Sequence, residues 1–360
     1  MRRLKTTIVN FVILLFSLVV ALEALSAIAI ITKIIPANAP SYITPTFKSF
    51  WTVENPHFGV WHAPNADHVH VTACYSLHYQ SNSYGARDRE RTLISEVPRV
   101  VVLGDSFIEG FGLKRNARLT DRLEDATSVP HLNFGTSGGF GPTQYLQLYR
   151  HLAKSFSHDE VLVGLLPDND FLDNDPEHAR ANNDPGYKPV FVQDQSGYKL
   201  EIMNKDALGT PERDKRRAFR RGLRNIARNF TFSANAIDYL KAMSKVWSST
   251  GPLAYSNNQG YSGYYDATAE QIRRVKFVLN ELVKEAYPRS VRIVLIPRLS
   301  DIATYQQRGP SPLAEMFTEI TSVVDLLPVF ATHPNPAKLF NGCDGHWSSA
   351  GAALAAENLR

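Results

Sequence analysis

The sequence predicts an α/β fold in which a parallel β-sheet is covered by helices on both faces, preceded by a single transmembrane helix. Three observations lead to this prediction. From about residue 99, apolar β-branched segments alternate with amphipathic ones, as expected for parallel strands joined by helices. A nearly continuous apolar run occupies residues 8–31. The chain has 360 residues, 44% of them hydrophobic and 21% charged, which excludes disorder throughout.

Charge and cysteine content exclude several classes of protein. Lys and Arg total 39 and Asp and Glu total 35, a surplus too small to indicate a nucleic-acid-binding protein. Two cysteines, Cys74 and Cys343, are too few for a disulfide scaffold or a four-thiolate zinc site. No segment repeats with a period of about 20–50 residues, so solenoids and propellers are not expected.

The apolar run predicts an uncleaved membrane anchor. As a helix rising about 1.5 Å per residue it reaches roughly 36 Å, more than the hydrocarbon core of about 30 Å. Arg2, Arg3 and Lys5 precede it and only Lys33 follows nearby, which keeps the N-terminus in the cytoplasm and the remaining chain outside, on the periplasmic or extracellular side. A cleaved signal peptide is the alternative, but its apolar core is usually only about 7–15 residues long, and Pro40 hinders cleavage at the nearest small-residue site.

Two features near and beyond the anchor leave alternatives open. Glu23 lies inside the apolar run, where it either contacts a partner helix or lines an ion path, or else lies near the outer end, reaching the interface or protonated. The position near the outer end is favoured. In an oxidising compartment Cys74 and Cys343 can form a disulfide, and buried thiols are equally compatible with the sequence.

Composition divides the chain into three parts. Residues 1–35 are predicted as a cytoplasmic tip and anchor, and 36–98 as a stalk and lead-in segment. Residues 99–360 are predicted as the main domain, with an insertion at about 176–263 where the strand–helix rhythm is interrupted.

The main domain contains the alternating elements. Residues 99–104 (RVVVLG) form a continuous apolar run, as expected for a strand buried on both faces. The remaining predicted elements are helix 118–126, strand 129–134, helix 143–155, strand 160–166, helix 268–286, strands 291–296 and 322–327, and helix 348–359. Reactive groups in such sheets gather at the carboxyl ends of the strands.

Two loops bring candidate catalytic residues to that edge. Ser106 follows the first strand in Gly-Asp-Ser-Phe, where a helix starting just after it would point free N–H groups towards an oxyanion. A serine needs a base and an orienting acid. The loop before the last helix offers both, because Asp344 can hold Nδ1–H of His346 and leave Nε2 to accept the serine proton.

Two further segments can stabilise an oxyanion. Residues 133–139 (NFGTSGG) end the second strand in small residues, so the backbone there can approach a substrate closely. Residues 167–170 (PDND) end the third strand and place the Asn169 amide at the same edge. Together they can supply a backbone N–H and an amide N–H.

The order GDS, N-x-G-x-x-G, ND and D-x-H-W resembles the SGNH (GDSL) hydrolase superfamily. The resemblance implies a three-layer flavodoxin-like fold with Ser106 as nucleophile, His346 as base and Asp344 as the acid that orients it. The Ser106 amide, Gly138 and Asn169 would form the oxyanion hole. It implies no cofactor or metal.

Two further features are similar to members of this superfamily, and two depart from its common pattern. Residues 82–88 (NSYGARD) and the long anchor with an embedded Glu are similar to membrane-anchored bacterial members. Asp168 precedes Asn169 where many members have Gly. Asp344 lies two residues before His346, not three, which is similar to alginate O-acetyltransferase-like proteins and raises acyl transfer as an outcome.

The sequence thus predicts an extracytoplasmic serine esterase acting on ester groups, O-acetyl groups above all, of a cell-envelope carbohydrate. An O-acyltransferase to a polysaccharide would use the same residues. A non-catalytic glycan-binding protein of the same fold is the third hypothesis, and the presence of Ser106, Asn169 and His346 favours an enzyme. The expected partners are an ester-bearing small molecule or polysaccharide and the membrane, and no nucleic acid.

A rival nucleophile is Ser137, because residues 135–139 fit the G-x-S-x-G elbow of α/β-hydrolases. That elbow runs straight into a helix, whereas Gly139, Gly141 and Pro142 delay one here. Ser106 is therefore preferred.

Other clusters permit binding interpretations beside plainer ones. Zinc could be bound by His68, His70, Cys74 and His78, although a solvated strand explains the histidines. A calcium site at Asp168, Asp170, Asp173 and Asp175 lacks the Gly and Glu of an EF-hand loop. The basic segment 213–228 predicts an amphipathic helix that faces anionic lipid, an acidic glycan or solvent. The aromatic stretch 255–265 fits sugar stacking or an ordinary loop.

Overall fold

The computed structural model describes residues 2–43, 50–51, 53–72, 74–181, 187–195, 197–203, 212–248 and 261–360. The chain divides into two compact units. The first comprises Met1–Ser49, Val69–Ser76 and Thr210–Thr250, and the second comprises Phe50–His68, Leu77–Gly209 and Gly251–Arg360.

The strands are β1 (Val53–Asn55), β2 (Gly59–Trp61), β3 (Asp67–Val71), β4 (Ser76–Gln80), β5 (Val100–Gly104), β6 (His131–Gly135), β7 (Glu160–Leu165), β8 (Lys188–Asp194), β9 (Gly197–Met203), β10 (Ser290–Leu295) and β11 (Ser322–Asp325). The helices are α1 (Arg2–Ile31), α2 (Ser106–Glu109), α3 (Leu119–Thr127), α4 (Pro142–His151), α5 (Pro167–Asp173), α6 (Pro176–Ala181), α7 (Glu212–Phe230), α8 (Phe232–Ser248), α9 (Gly263–Asp266), α10 (Ala269–Ala286), α11 (Leu299–Arg308), α12 (Leu313–Thr318), α13 (Leu327–Ala331) and α14 (Ser349–Glu357).

The second unit is built on a five-stranded parallel sheet in the order β11–β10–β7–β5–β6. Strand β5 lies between β6 and β7, with Leu103 opposite Phe134 on one side and Val163 on the other. All five residues of β5 are buried, which agrees with a strand covered on both faces.

Helices cover both faces of this sheet. The chain moves from β5 to β6 in one direction and from β6 past β5 to β7 in the other, so right-handed crossovers place α3 and α4 on opposite faces. In agreement, α14 packs against α3 and α10 packs against α4. The predicted α/β fold class with a three-layer arrangement is confirmed.

The predicted elements of the main domain are confirmed within two residues at nearly every boundary. The exception is the helix predicted to end at residue 155: α4 ends at His151, and a separate 3₁₀ turn occupies Ala153–Ser155. Helices α11 and α12 and the antiparallel hairpin β8–β9 were not predicted.

The first unit contains α1, α7 and α8. Thr6–Ile31 is the one helix among the described residues that is long and apolar enough to cross a membrane, and a signal sequence would pass the same test. The predicted basic helix at 213–228 is confirmed as α7. Glu23 does contact a partner helix, since Oε1 accepts the N–H of Phe232 (2.6 Å) and Oε2 that of Ser233 (3.0 Å), both in α8. The contact with a partner helix is therefore observed, and the position of Glu23 near the outer end of a membrane span stays a prediction.

Both cysteines are disulfide-bonded, which decides between the alternatives left open by the sequence. Cys74 is therefore not a thiolate ligand for zinc, and His78 pairs with Asp67. Within the described ranges, no group of three or more His, Cys, Asp or Glu residues is arranged to hold a metal ion. Of the aromatic stretch 255–265, residues 255–260 lie outside the described residues.

Candidate active site

Ser106 begins α2 directly beyond strand β5. β5 ends at Gly104, where an added Cβ would lie 2.2 Å from Ile108 Cγ1, so the tight entry into the helix requires glycine. Asp105 caps the helix: its Oδ1 accepts the N–H of Phe107 at 2.9 Å. Because Ser106 is the first helical residue, its own N–H has no acceptor within the helix. The nucleophile predicted from the sequence thus lies at the carboxyl edge of the sheet.

His346 lies against Ser106. Its Nε2 is 2.8 Å from Ser106 Oγ, although the two residues are 240 positions apart. The loop that carries His346 is closed by Asn341, whose N–H donates to the His346 carbonyl (2.7 Å) and whose carbonyl accepts from Gly345 N–H (2.9 Å). Gly345 has φ +74°, a conformation that favours glycine.

Asp344 contacts the same imidazole at its other nitrogen. Oδ1 lies 3.2 Å from His346 Nδ1 and also accepts the backbone N–H of His346 at 3.1 Å. The contact with Nδ1 has the distance of an ion pair, but its angle is not that of a hydrogen bond: buried Nδ1 lacks a hydrogen-bond partner among the residues described. Asp344 therefore fixes the loop and lies close enough to stabilise a positive charge on His346.

The predicted oxyanion donors lie on the two neighbouring connections. Gly138, after β6, is exposed and has φ +110°, outside the range of most side-chain-bearing residues. Asn169, after β7, is not at a strand end as predicted but in the first turn of α5, which begins at Pro167. Its Nδ2 lies 3.5 Å from Asp105 Oδ2, which places Asn169 beside the residue that precedes the nucleophile.

The acids beneath Ser106 have raised pKa values. Burial raises the pKa of Asp105 to about 6, against the opposing effects of the Phe107 amide and of the His346 and Arg298 charges. Burial, reinforced by the Asp105 carboxyl, raises the pKa of Asp170 well above its ordinary value. Asp170 is hydrogen-bonded to the Tyr145 hydroxyl (2.8 Å) and to the N–H of Leu166 (2.8 Å).

Arg298 was not identified from the sequence. It follows β10 at the carboxyl edge of the sheet, and its Nη1 lies 3.1 Å from Oδ2 of Asp168; both side chains are buried. The guanidinium also lies over the ring of Phe107, 5.9 Å from its centroid. Asp168, which departs from the superfamily pattern, therefore serves here as the partner of a buried arginine. Its burial raises its pKa, and the Arg298 charge opposes this.

Glu109 forms a second buried polar cluster at the end of α2. Its carboxylate accepts the hydroxyl of Ser137, and the Trp51 indole Nε1 lies 3.2 Å from both of its oxygens. His62 Nε2 lies 3.7 Å from Oε1. Burial opposes ionisation of Glu109, but the hydrogen bond and charge of His62, with the Arg87 and Ser137 contacts, outweigh it and lower the pKa.

This cluster bears on the rival nucleophile. The Ser137 hydroxyl donates to a carboxylate whose lowered pKa makes it a weak base. Ser106, by contrast, contacts an imidazole. The geometry therefore favours Ser106 over Ser137. The only sequence signal for Glu109 is its position three residues after Ser106 on the same short helix.

Aromatic rings border the imidazole. The Phe111 ring lies 4.6 Å from that of His346, and Phe107 lies 5.0 Å away. Trp51 continues this wall, with its ring 5.8 Å from Phe111. Of these, Phe111 and Trp51 are partly exposed.

The acidic cluster suggested for calcium is occupied by protein partners. Asp168 pairs with Arg298 and Asp170 with Tyr145, as described above. Asp173 lies 3.5 Å from Lys188 Nζ, and Asp175 accepts from Gln271 Nε2 at 2.9 Å. The calcium interpretation is not supported.

Comparison with known proteins gives fold-level likenesses. No protein-family model matches the chain, and no curated protein matches it. One similar solved structure is a lipase/acylhydrolase from Enterococcus faecalis, with 13% sequence identity and a TM-score of 0.36 over 72% of this chain and 93% of that one. Another is a lipolytic protein of the G-D-S-L family from Veillonella parvula, with 11% identity and a TM-score of 0.36 over 73% of this chain and 96% of that one. A third is a carbohydrate esterase family 2 enzyme with a carbohydrate-binding domain from Corynascus thermopiles, with 12% identity and a TM-score of 0.38 over 75% of this chain and 66% of that one.

Proposed function

We propose that the chain is a membrane-anchored serine esterase of the SGNH (GDSL) type. The observation that carries this proposal is the 2.8 Å contact between Ser106 Oγ and His346 Nε2 at the carboxyl edge of the sheet. A serine hydroxyl is a weak nucleophile unless a base accepts its proton, and this contact supplies the base. The four motif blocks support the superfamily assignment.

The reaction begins when Ser106 Oγ attacks the ester carbonyl and its proton passes to His346 Nε2. The developing imidazolium is stabilised by Asp344, 3.2 Å from Nδ1. The oxyanion is held by the amides of Ser106 and Gly138 and by the side-chain amide of Asn169. Collapse of the tetrahedral intermediate breaks the ester C–O bond. The alcohol leaves with the proton from His346, and the acyl group remains on Ser106.

The second half of the reaction frees the enzyme. His346 Nε2 takes a proton from water, which attacks the acyl-enzyme and releases the carboxylic acid and the Ser106 hydroxyl. The proposed substrates are ester groups, O-acetyl groups above all, on a carbohydrate of the cell envelope. This proposal rests on α1 as an anchor with the catalytic unit outside the cytoplasm, which the basic residues at the start of α1, ahead of its apolar run, favour.

A second candidate is acyl transfer to a polysaccharide hydroxyl. The observation that favours it is the two-residue step between Asp344 and His346, which is similar to that of alginate O-acetyltransferase-like proteins. A sugar hydroxyl would replace water at the acyl-enzyme, and the same base would accept its proton.

The test is hydrolysis of p-nitrophenyl acetate by the purified full-length chain in detergent. We expect Ser106→Ala to lower kcat by roughly 10⁴–10⁶-fold, as removal of a serine nucleophile does elsewhere. Ser137→Ala is the comparison variant and should lower kcat only about tenfold, far less than Ser106→Ala, because it disturbs one oxyanion donor without removing the nucleophile. Activity that survives Ser106→Ala and is lost in Ser137→Ala would overturn the proposal. If both variants keep the wild-type activity, neither serine is the nucleophile.

Two further measurements test the choice between hydrolysis and transfer and the proposed topology. With an acetylated glycan and an unacetylated acceptor, release of free acetate indicates hydrolysis, whereas acetyl groups on the acceptor indicate transfer. A reporter fused after Arg360 that functions only in the cytoplasm would reverse the proposed topology.

A further inference from the structure

In the first unit, the exposure of the α1 side chains changes partway along the helix. Every side chain from Thr6 to Leu22 is exposed. Beyond that point one face becomes covered, and its residues follow the i, i+3, i+4, i+7 spacing of a helix face: Glu23, Ser26, Ala27 and Ile30. The covering element is α8, which contributes Phe232 and Ala236 to a cluster with Ile30.

Glu23 fixes the start of α8 at this level. Its two carboxylate oxygens accept the N–H groups of Phe232 and Ser233, the first two residues of α8. Such N–H groups have no acceptor within their own helix, and a negative charge there complements the helix dipole. The turn between α7 and α8 therefore lies beside Glu23, and not at the end of α1.

The depth of this turn follows from helix geometry. Residues 6–22 of α1 span about 25 Å, close to the hydrocarbon thickness of about 30 Å. Glu23 is then at the outer boundary of the span, about 12 Å before the end of α1 at Ile31. The side chains of α1 that face away from α8 above this level, Leu25, Ile28 and Ile31, remain exposed and apolar.

Helix α7 presents an apolar stripe next to the same turn. Leu223, Ile226 and Phe230 are 53%, 57% and 65% exposed and share one face by their spacing. Ile237 and Leu240 of α8 are exposed as well. Exposure of such a stripe to water is unfavourable, and its place beside the outer end of an apolar span favours lipid as its surroundings.

The polar side of the hairpin fits a phospholipid headgroup layer. The sequence of α7 carries eight Lys or Arg residues and two acidic ones. Arg224 and Arg228 reach back to Asp238 of α8, at 2.8 and 3.3 Å, which ties the two helices together. A basic amphipathic helix with Phe and Leu on its apolar face is typical of segments that lie in the plane of a membrane interface.

We propose that α7 and the start of α8 form an interfacial hairpin beside α1, at the outer boundary of its span, with Leu223, Ile226 and Phe230 against phospholipid. This inference rests on the proposed anchoring of α1. It adds a second membrane contact, held to the first by Glu23. The occupant of the exposed face is phospholipid, and not a protein partner.

The test uses the full chain reconstituted in phosphatidylcholine vesicles that contain lipids brominated either near the headgroup or near the end of the acyl chain. Phe230→Trp places an indole on the stripe, and its emission is compared with that of the wild type. We expect additional fluorescence that is quenched, more strongly by bromine near the headgroup. Tyr287→Trp, at an exposed aromatic position in the second unit, is the matched control for an indole in water.

Leu22→Trp separates failure of the hairpin from failure of the anchor. Quenching of the Leu22→Trp indole without quenching of the Phe230→Trp indole overturns the hairpin and leaves the anchor in place. Lack of quenching in both overturns the anchor and the inference with it. Glu23→Ala should weaken the Phe230→Trp quenching at least twofold while that of Leu22→Trp is kept. Unchanged quenching in Glu23→Ala would contradict the role given to the carboxylate.

Discussion

Asp168 and Arg298 form a buried ion pair, with 3.1 Å between Oδ2 and Nη1, on the two connections that follow β7 and β10. Asp168 immediately precedes Asn169, and Arg298 lies over Phe107, the residue after Ser106. The pair therefore joins the backbone that carries a proposed oxyanion donor to the helix that carries the nucleophile.

Removal of one partner of this pair should be strongly destabilising. Asp168→Ala leaves the Arg298 charge buried without its partner, and a buried pair broken in this way typically costs about 3–5 kcal/mol. The free energy of unfolding can be measured by urea denaturation of the full chain in detergent. The exposed pair Lys284–Glu281 provides the control, since Lys284→Ala should cost at most about 1 kcal/mol. Equal effects of both substitutions would contradict the structural role of Asp168.

Ser137 should position the oxyanion loop without serving as nucleophile. Its hydroxyl donates to Glu109, and it immediately precedes Gly138, whose N–H is a proposed oxyanion donor. We expect Ser137→Ala to lower kcat by about tenfold at nearly unchanged KM, because one misplaced donor costs less than its complete loss, which is about 10²–10³-fold. Ser311→Ala, which removes a hydroxyl that donates to the Tyr264 carbonyl, is the control and should leave kcat unchanged. A change in KM alone would place Ser137 in substrate binding.

Asp344 should contribute mainly through its charge. Asp344→Asn can keep the hydrogen bond from the His346 N–H but loses the negative charge 3.2 Å from Nδ1. Since Nδ1 is not well aligned for a hydrogen bond, the fall in kcat should be about 10–10²-fold, less than the roughly 10⁴-fold loss in a well-aligned triad. The measurement is kcat for p-nitrophenyl acetate across pH. A loss as large as that of Ser106→Ala would mean that the two groups align when substrate binds.

Stability should decrease as the pH rises from about 4 to about 7. Burial, with the Asp168 charge, raises the pKa of Asp301 to about 7, and burial raises that of Asp105 to about 6. The unfolded chain has Asp pKa values of about 3.9, so between about pH 4 and pH 7 the folded state binds more protons than the unfolded chain does. The free energy of unfolding therefore falls as the pH rises through this range. Glu109 contributes the opposite sign, because its lowered pKa adds stability that is lost only in acid.

Urea denaturation at several pH values, with Asp301→Asn for comparison, tests this dependence. Asn cannot lose a proton, so the variant should show a smaller decrease in unfolding free energy between pH 5 and pH 8, a range chosen around the value of about 7. Identical pH profiles for wild type and variant would show that Asp301 does not titrate there.

The sheet could be predicted because its strands are short apolar runs that need both faces covered, and this pattern is visible in any window that contains them. The serine and histidine were found because each lies in a short motif next to a predicted element boundary. Their contact across 240 positions follows from the strand order, and only the structure gives its distance.

Other parts of the site leave no local pattern. Asn169 was assigned to a strand end, but Pro167 is well suited to the first turn of a helix and α5 begins there. The pairing of Asp168 with Arg298 and of Glu109 with Trp51 joins segments far apart in the chain. The sequence does not indicate which residue pairs with which, because many other residues of the chain have a suitable charge and size.

The bonding of Glu23 to the start of α8 has a consequence for how the protein is handled and matured. A form that lacks α1, whether removed by a protease or by design, would lose both acceptors at once. Two helix-terminal amides and the apolar cluster around Phe232 would then meet water. Loss of α1 would thus disturb a segment more than two hundred positions downstream, and the shortened product would be a different molecule from the intact protein.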